Sequence, residues 1–247
     1  MDFINILVIS LSLLISFKTT AQTQPLKINI FYPKDSIKFN EESDFEFNYD
    51  YNLYGKTTMI VRARSNWGEY HFVFKKKIKN IEKFGSDSAN VYGTKLDGSW
   101  GVVRKDYNES YTISDHNLYA FILLSDHGGI IEKVKFQDFG NVVYFPEFDY
   151  PNCFISDENK DGIPEFYISY MGNSDGLDAK AYKQIIYTFT NLKKEFVKSK
   201  ATAFYPAGNP EDEYYEEFDV NWKQLPEIIQ KRSKKILKDY KKQIGNY

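Results

Sequence analysis

Apolar and polar residues alternate over short runs along most of this chain, and that period limits the available folds more than any other feature. Successive side chains of an extended strand point to opposite faces, so a period of two describes a strand with one face buried. Residues 27–32 alternate and stop at Pro33, 36–39 stop at Asn40, and 44–49 carry Phe45, Phe47 and Tyr49 between polar residues. The pattern returns at 57–64 and 69–74, separated by Ser65, Asn66, Trp67 and Gly68, a predicted hairpin turn. Strands joined by short turns pair antiparallel, which predicts a mainly β fold, either a sandwich or barrel-like sheets.

A polar interval at 75–97 opens with Lys75, Lys76 and Lys77, read as a solvated strand end. Asp97 and Gly98 offer a turn before 99–103, and further strands are predicted at 117–124, 130–136, 141–145, 165–170 and 183–189, with short pieces at 196–197 and 203–205. The period changes only at 225–240. There Leu225, Ile228, Ile229, Ile236, Leu237 and Tyr240 fall on one helical face, and Pro226 suits a first turn. The other face carries Lys231, Arg232, Lys234, Lys235, Lys238, Lys241 and Lys242. Its apolar stripe lacks the Trp and Phe wedge of a membrane-surface helix, so the expectation is an amphipathic C-terminal helix docked on the sheet.

Residues 6–17 form an apolar run followed by Thr19 and Ala21, small residues where a signal peptidase needs them. The run is shorter than the roughly 20 apolar residues that span a bilayer, so 1–21 is expected to be a cleaved secretory signal despite Asp2 in its n-region. No cysteine follows the run, which argues against a lipid anchor, and no membrane association is expected after cleavage. Localisation is therefore the periplasm or cell surface. The remainder divides into 22–108, an N-terminal β region, and 109–247, a β region with the C-terminal helix, with one continuous domain as the alternative. The 247 residues, 42% hydrophobic and 17% aromatic, suffice for a sizeable core. A net charge of -2 and a pI near 6.0 give no basic excess for phosphate, which excludes nucleic acid as a partner. Cys153 is the only cysteine, so no intramolecular disulfide is possible, and a small buried hydrophobe is its expected role.

One loop carries chemistry. Asp157, Asn159 and Asp161 place oxygens at every second residue, Gly162 allows a sharp bend, and Glu165 closes the group between two apolar runs. A hard divalent cation such as Ca²⁺ takes oxygen ligands arranged in this way. Ordinary turn chemistry accounts for Asp161 and Gly162 but not for the full spacing. An EF-hand would need a bidentate Glu at the twelfth loop position, which is Ile168 here. The ion is expected to be structural, because no activating groups for metal catalysis accompany it.

Elsewhere the signals are thin. His71, His116 and His127 are too scattered for a zinc site. Asp126 and His127 lie in a glycine-rich stretch read as a tight turn. Residues 211–217, with Glu211, Asp212, Glu213, Glu216 and Glu217, could supply the carboxylate pair of a glycosidase, but are expected to form a solvated acidic loop. No catalytic residue is assigned.

From about 117 to 237, the order of Leu118, Tyr119, Ala120 and Phe121, then 135–139, the Asp-rich loop, 183–187 and the helix resembles a family of signal-bearing bacterial envelope proteins labelled as surface polysaccharide biosynthesis proteins. The loop itself is similar to the short calcium loops of FG-GAP and VCBS repeats. That resemblance implies side-chain ligands from Asp157, Asn159, Asp161 and Glu165, with the carbonyl of Ile163 as a fifth. The expected function is a non-catalytic envelope protein binding a surface glycan or a protein partner. The alternatives are a polysaccharide-processing enzyme using Asp or Glu, and a structural or assembly subunit.

Overall fold

The structure, a computed structural model, describes residues 26–32, 51–84, 89–106, 111–174, 176–190, 194–207 and 211–243. The signal expected at 1–21 and the strands expected at 36–39 and 44–49 lie outside the described residues. Among the described residues, no helix is long and apolar enough to cross a membrane.

The alternating runs build two antiparallel sheets that bury their apolar faces against each other. In the first, β1 (Lys27–Phe31) is followed by a single helical turn, α1 (Tyr51–Tyr54), and then by β2 (Lys56–Ser65) and β3 (Gly68–Phe84). A separate hairpin of β4 (Ala89–Thr94) and β5 (Trp100–Asp106) precedes β6 (Tyr111–Asp126) and β7 (Gly129–Phe139). The sheet order is β1-β2-β3-β6-β7. Strands from both sides of residue 108 therefore share one sheet, because β3 pairs with β6 from Glu69 opposite Ser125 to Phe84 opposite Tyr111. At the turn joining β6 to β7, His127 (φ 45°) and Gly128 (φ 85°) are both left-handed, the geometry a two-residue hairpin loop requires.

The second sheet comprises β8 (Tyr144–Phe148), β9 (Phe154–Ser156), β10 (Glu165–Ser174), β11 (Lys180–Thr190), β12 (Glu195–Tyr205) and β13 (Tyr215–Phe218). Its order is β13-β12-β11-β10-β8, and β9 also pairs with β10. Aromatic rings join the sheets edge to face. Phe72 meets Phe166 at 5.4 Å between ring centroids, Phe74 meets Phe148 at 5.1 Å, and Phe136 meets Tyr170 at 5.4 Å. Edge-to-face contact sets the positive ring edge against the negative ring face, adding to the apolar area that each ring buries.

The opposite face of the second sheet is covered by α2 (Val220–Lys223) and α3 (Glu227–Gln243), as expected for a docked C-terminal helix. Trp222, Leu225, Ile229, Ile236 and Leu237 pack on Tyr167, Tyr182, Ile186, Ala201, Ala203 and Tyr205. Asp219 caps α2 by accepting from the Trp222 amide, while its other oxygen accepts from the Lys200 amide and ties the cap to β12. Ile228, placed on the apolar face by periodicity, is 46% exposed, and Ser233 is buried in the interface instead. The Trp222 indole donates to Ser233 Oγ at 2.9 Å, and Ser233 donates to Gln184.

Three elements differ from expectation. β3 continues through the lysine run to Phe84, and Lys75 is buried rather than solvated, because pairing with β6 keeps the strand inside the sheet. The short pieces at 196–197 and 203–205 belong to one strand, since each residue from Glu195 to Tyr205 pairs with β11. The acidic stretch ends in β13, an edge strand rather than a loop.

Phe166 is fully buried between Phe72, Tyr70 and Phe196. Phe166→Ala is expected to cost about 3–5 kcal/mol, read as a lower urea midpoint. Lys133→Ala, on an exposed site of β7, should stay within about 0.5 kcal/mol.

Candidate metal site

The acidic loop bridges β9 and β10 as a closed hairpin, with Ser156 opposite Glu165 at its base. Two left-handed residues, Lys160 (φ 59°) and Gly162 (φ 80°), fold it back on itself. Glycine carries no steric penalty there, whereas Lys160 bears one. Side chains hold the bend: the Asp161 amide donates to Asn159 Oδ1 at 3.1 Å, the Gly162 amide to Asp157 Oδ2 at 3.1 Å, and the Ile163 amide to Asp161 Oδ1 at 2.8 Å. Turns of this kind, in which a side-chain oxygen of Asn or Asp accepts from backbone amides two or more residues on, hold the acidic side chains close together.

The fold thereby brings one oxygen each of Asp157, Asp161 and Glu165 within 4.8 Å of one another. Asn159 is close, its Nδ2 donating to Asp161 Oδ2 at 2.9 Å, but its own oxygen serves the Asp161 amide. Ile163 is buried beneath the bend.

Burial differs sharply among the three carboxylates. Asp161 is exposed and Asp157 half-buried, while Glu165 is only 2% exposed. Loss of water around Glu165 is the main cause that pushes its pKa up to about 8, and the charges of Asp157, Asp161 and Glu158 add to it. The Glu158 amide, donating to Glu165 Oε2 at 2.8 Å, works in the opposite direction. Asp157 Oδ1 is buried with no hydrogen-bond partner. A buried carboxylate oxygen without a donor is costly, and a cation at the centre of the trio would satisfy it.

Sequence reasoning missed the loop's attachment to the helix. Arg232 of α3 lies 3.4 Å from Glu158 and stacks over the Phe154 ring at 5.0 Å, and Phe154 stacks on Tyr167 at 4.4 Å. No local signal marked Arg232, one of seven basic residues on the helix surface.

The remaining candidates do not assemble into a site. His71 faces Ser125 at 3.0 Å, and burial lowers its pKa. His116 is buried, its Nε2 donating to the Pro146 carbonyl at 2.6 Å. His127 points into solvent beside Asp126. Cys153 is buried, donating to the Ser169 carbonyl at 3.3 Å, and burial pushes its thiol pKa up, away from nucleophilic use. Glu216 and Glu217 are neighbours on β13, so their side chains leave opposite faces of the strand and cannot form a facing pair.

Fold and loop together define a two-sheet antiparallel protein backed by a C-terminal helix, with a carboxylate trio at the hairpin entering its most buried strand. No family model, curated protein or solved structure matches the chain, so the functional reading rests on its own residues.

Glu165 predicts a pH signature for the metal-free protein. Its folded pKa near 8 lies above the ordinary carboxylate value of 4.5. Between those values the folded chain retains a proton that the unfolded chain has released, so stability falls as pH rises through that window. In chelator, the melting temperature should fall between about pH 5 and about pH 8.5, and Glu165→Gln should remove most of that slope. His71, whose pKa is lowered by burial, acts with the opposite sign and is unaffected by the substitution.

Proposed function

We propose that this chain is an exported, non-catalytic binding protein of the bacterial cell envelope whose 157–165 loop holds a structural Ca²⁺ ion. The observation that carries the calcium reading is the orphaned, buried Asp157 Oδ1 beside the buried Glu165 carboxylate. Asp157, Asp161 and Glu165 converge as a hard cation requires. Asn159 and the Ile163 carbonyl complete the ligand set that the resemblance to FG-GAP and VCBS loops implies. Bound there, the ion would offset the repulsion among the carboxylates and stiffen the β9–β10 hairpin. Arg232 and Glu158 would carry that order to the helix.

Export is supported by the apolar run at 6–17 followed by Thr19 and Ala21. A glycan partner is supported by the resemblance of 117–237 to the surface polysaccharide family and by the chain's aromatic richness.

The test is a thermal melt of the purified protein in excess Ca²⁺ and in chelator. At free Ca²⁺ near a hundred times Kd, binding adds about 2.7 kcal/mol, and a chain of this size converts that into a rise of about 5–10 °C. Asp157→Asn and Glu165→Gln should each abolish the rise. A melting temperature indifferent to Ca²⁺ would remove the ion from the reading, and turnover of any glycan would replace the non-catalytic assignment.

A further inference from the structure

Glu158 sits between two ligand positions of the acidic loop, Asp157 and Asn159, yet its carboxylate stands apart from the trio of Asp157, Asp161 and Glu165. It turns to Arg232 of α3, 3.4 Å away, while its amide turns to the trio and donates to Glu165 Oε2 at 2.8 Å. Ser156, at the base of the hairpin, donates to the same Glu165 oxygen at 3.4 Å. The backbone and the side chain of one residue thus join the carboxylate centre to the helix.

A second connection runs through aromatic rings. Arg232 stacks over Phe154 at 5.0 Å, and Phe154, on the strand that enters the loop, stacks on Tyr167 at 4.4 Å with the planes 12° apart. Tyr167 is fully buried and belongs to the cluster that Ile229, Ile236 and Leu237 of α3 form with the sheet. Its hydroxyl senses both partners: after loss of water, the charges of Glu165 and Glu158 raise its pKa, and Arg232 opposes them. Arg232 is followed by Ser233, which donates to Gln184 and accepts from the Trp222 indole. The helical turn that meets the loop is therefore the turn that anchors α3 to the sheet by hydrogen bonds.

We propose that occupancy of the 157–165 loop by Ca²⁺ controls how firmly α3 covers the second sheet, with Arg232 as the positioning residue that couples the two. This deepens the calcium reading above and rests on it. Ligation by Asp157 and Asn159 fixes the backbone on both sides of Glu158, which holds its carboxylate on Arg232 in one geometry. Arg232 and Glu158 are 39% and 26% exposed, so their ion pair contributes modestly, and the contact of Arg232 with the Phe154 ring adds to it. A coupling of about fivefold is the scale that follows. Such coupling is reciprocal: an ion that favours the docked helix is itself held more tightly when the helix is docked. Reciprocity separates this latch from bare electrostatics. Arg232 is a cation near the site, and Coulomb repulsion alone predicts that removing its charge tightens Ca²⁺ binding. The latch predicts the reverse.

The test is calorimetric titration of the full chain with Ca²⁺, joined to hydrogen exchange of the α3 amides in chelator and in Ca²⁺ set to the same multiple of each variant's Kd. Arg232→Gln should weaken Ca²⁺ binding about fivefold, whereas Lys238→Gln, which removes a charge from the exposed face of the same helix, should not weaken it. In the parent, Ca²⁺ should slow exchange of the α3 amides about fivefold. Arg232→Gln and Glu158→Gln should each erase that response, while the amides of β3 respond as in the parent. Both substitutions alter half-buried polar side chains, so the variants should keep the parent's circular dichroism, and Glu158→Gln carries the exchange measurement alone if Arg232→Gln does not fold. Ca²⁺ binding to Arg232→Gln as tight as to the parent or tighter would overturn the latch and leave the ion in place. So would α3 amides whose response to Ca²⁺ survives the substitutions or merely equals that of β3. A parent chain that binds no Ca²⁺ would remove the calcium reading, and the latch with it.

Discussion

β10 packs Phe166, Ile168 and Tyr170 toward the first sheet and Tyr167 toward the helix, so both of its faces are withdrawn from water. That two-sided burial governs the loop before it. Glu165 is the first residue of β10 and enters the interior with the strand, which strips its carboxylate of solvent and raises its pKa. The adjoining Asp157 and Asp161 are held near it by turns that use backbone amides as donors. A hairpin so built stays acidic at its centre, and either a proton or a cation must neutralise it.

The second layer of helix has a related consequence. Sheets with one solvated face show clean alternation, whereas a sheet covered on both faces reads as a nearly continuous apolar run. β10 is such a run from Phe166 to Met171, interrupted by Ser169, and β11 has a shorter one from Ile185 to Tyr187, preceded by the buried Gln184. Gln184 Oε1 accepts from Ser233 across the helix interface, and Ser233 in turn accepts from the Trp222 indole, making a polar chain inside an otherwise apolar layer. The helix is thus positioned by hydrogen bonds as well as by apolar contact. Through Arg232 and Glu158 it also touches the acidic loop.

Much of the fold was legible because burial leaves a period in the residues. Phe72 and Phe74, Leu118 and Ile122, and Ile185 and Tyr187 sit at the alternate positions that pattern reasoning assigns to a buried face, and all are in the central core. Legibility failed where polar residues lie in strands. Lys75, Lys76 and Lys77 suggested a strand end, yet β6 pairs alongside and keeps β3 extended. β13 was hidden because an edge strand needs to bury only one face, and Glu216 and Glu217 are compatible with it. The carboxylate trio was legible from spacing alone, since its geometry is local. The unequal burial of its members was not, because it depends on what covers β10.

The amino-acid order by itself determined the strand period, the apolar stripe of the C-terminal helix and the oxygen pattern of the acidic loop, all set by interactions among residues close along the chain. Only the tertiary structure decided that β3 and β6 join the two halves in one sheet and that Arg232 reaches Glu158. Those relations follow from strand register and from which layer covers which, and both are settled by burial over residues far apart in sequence.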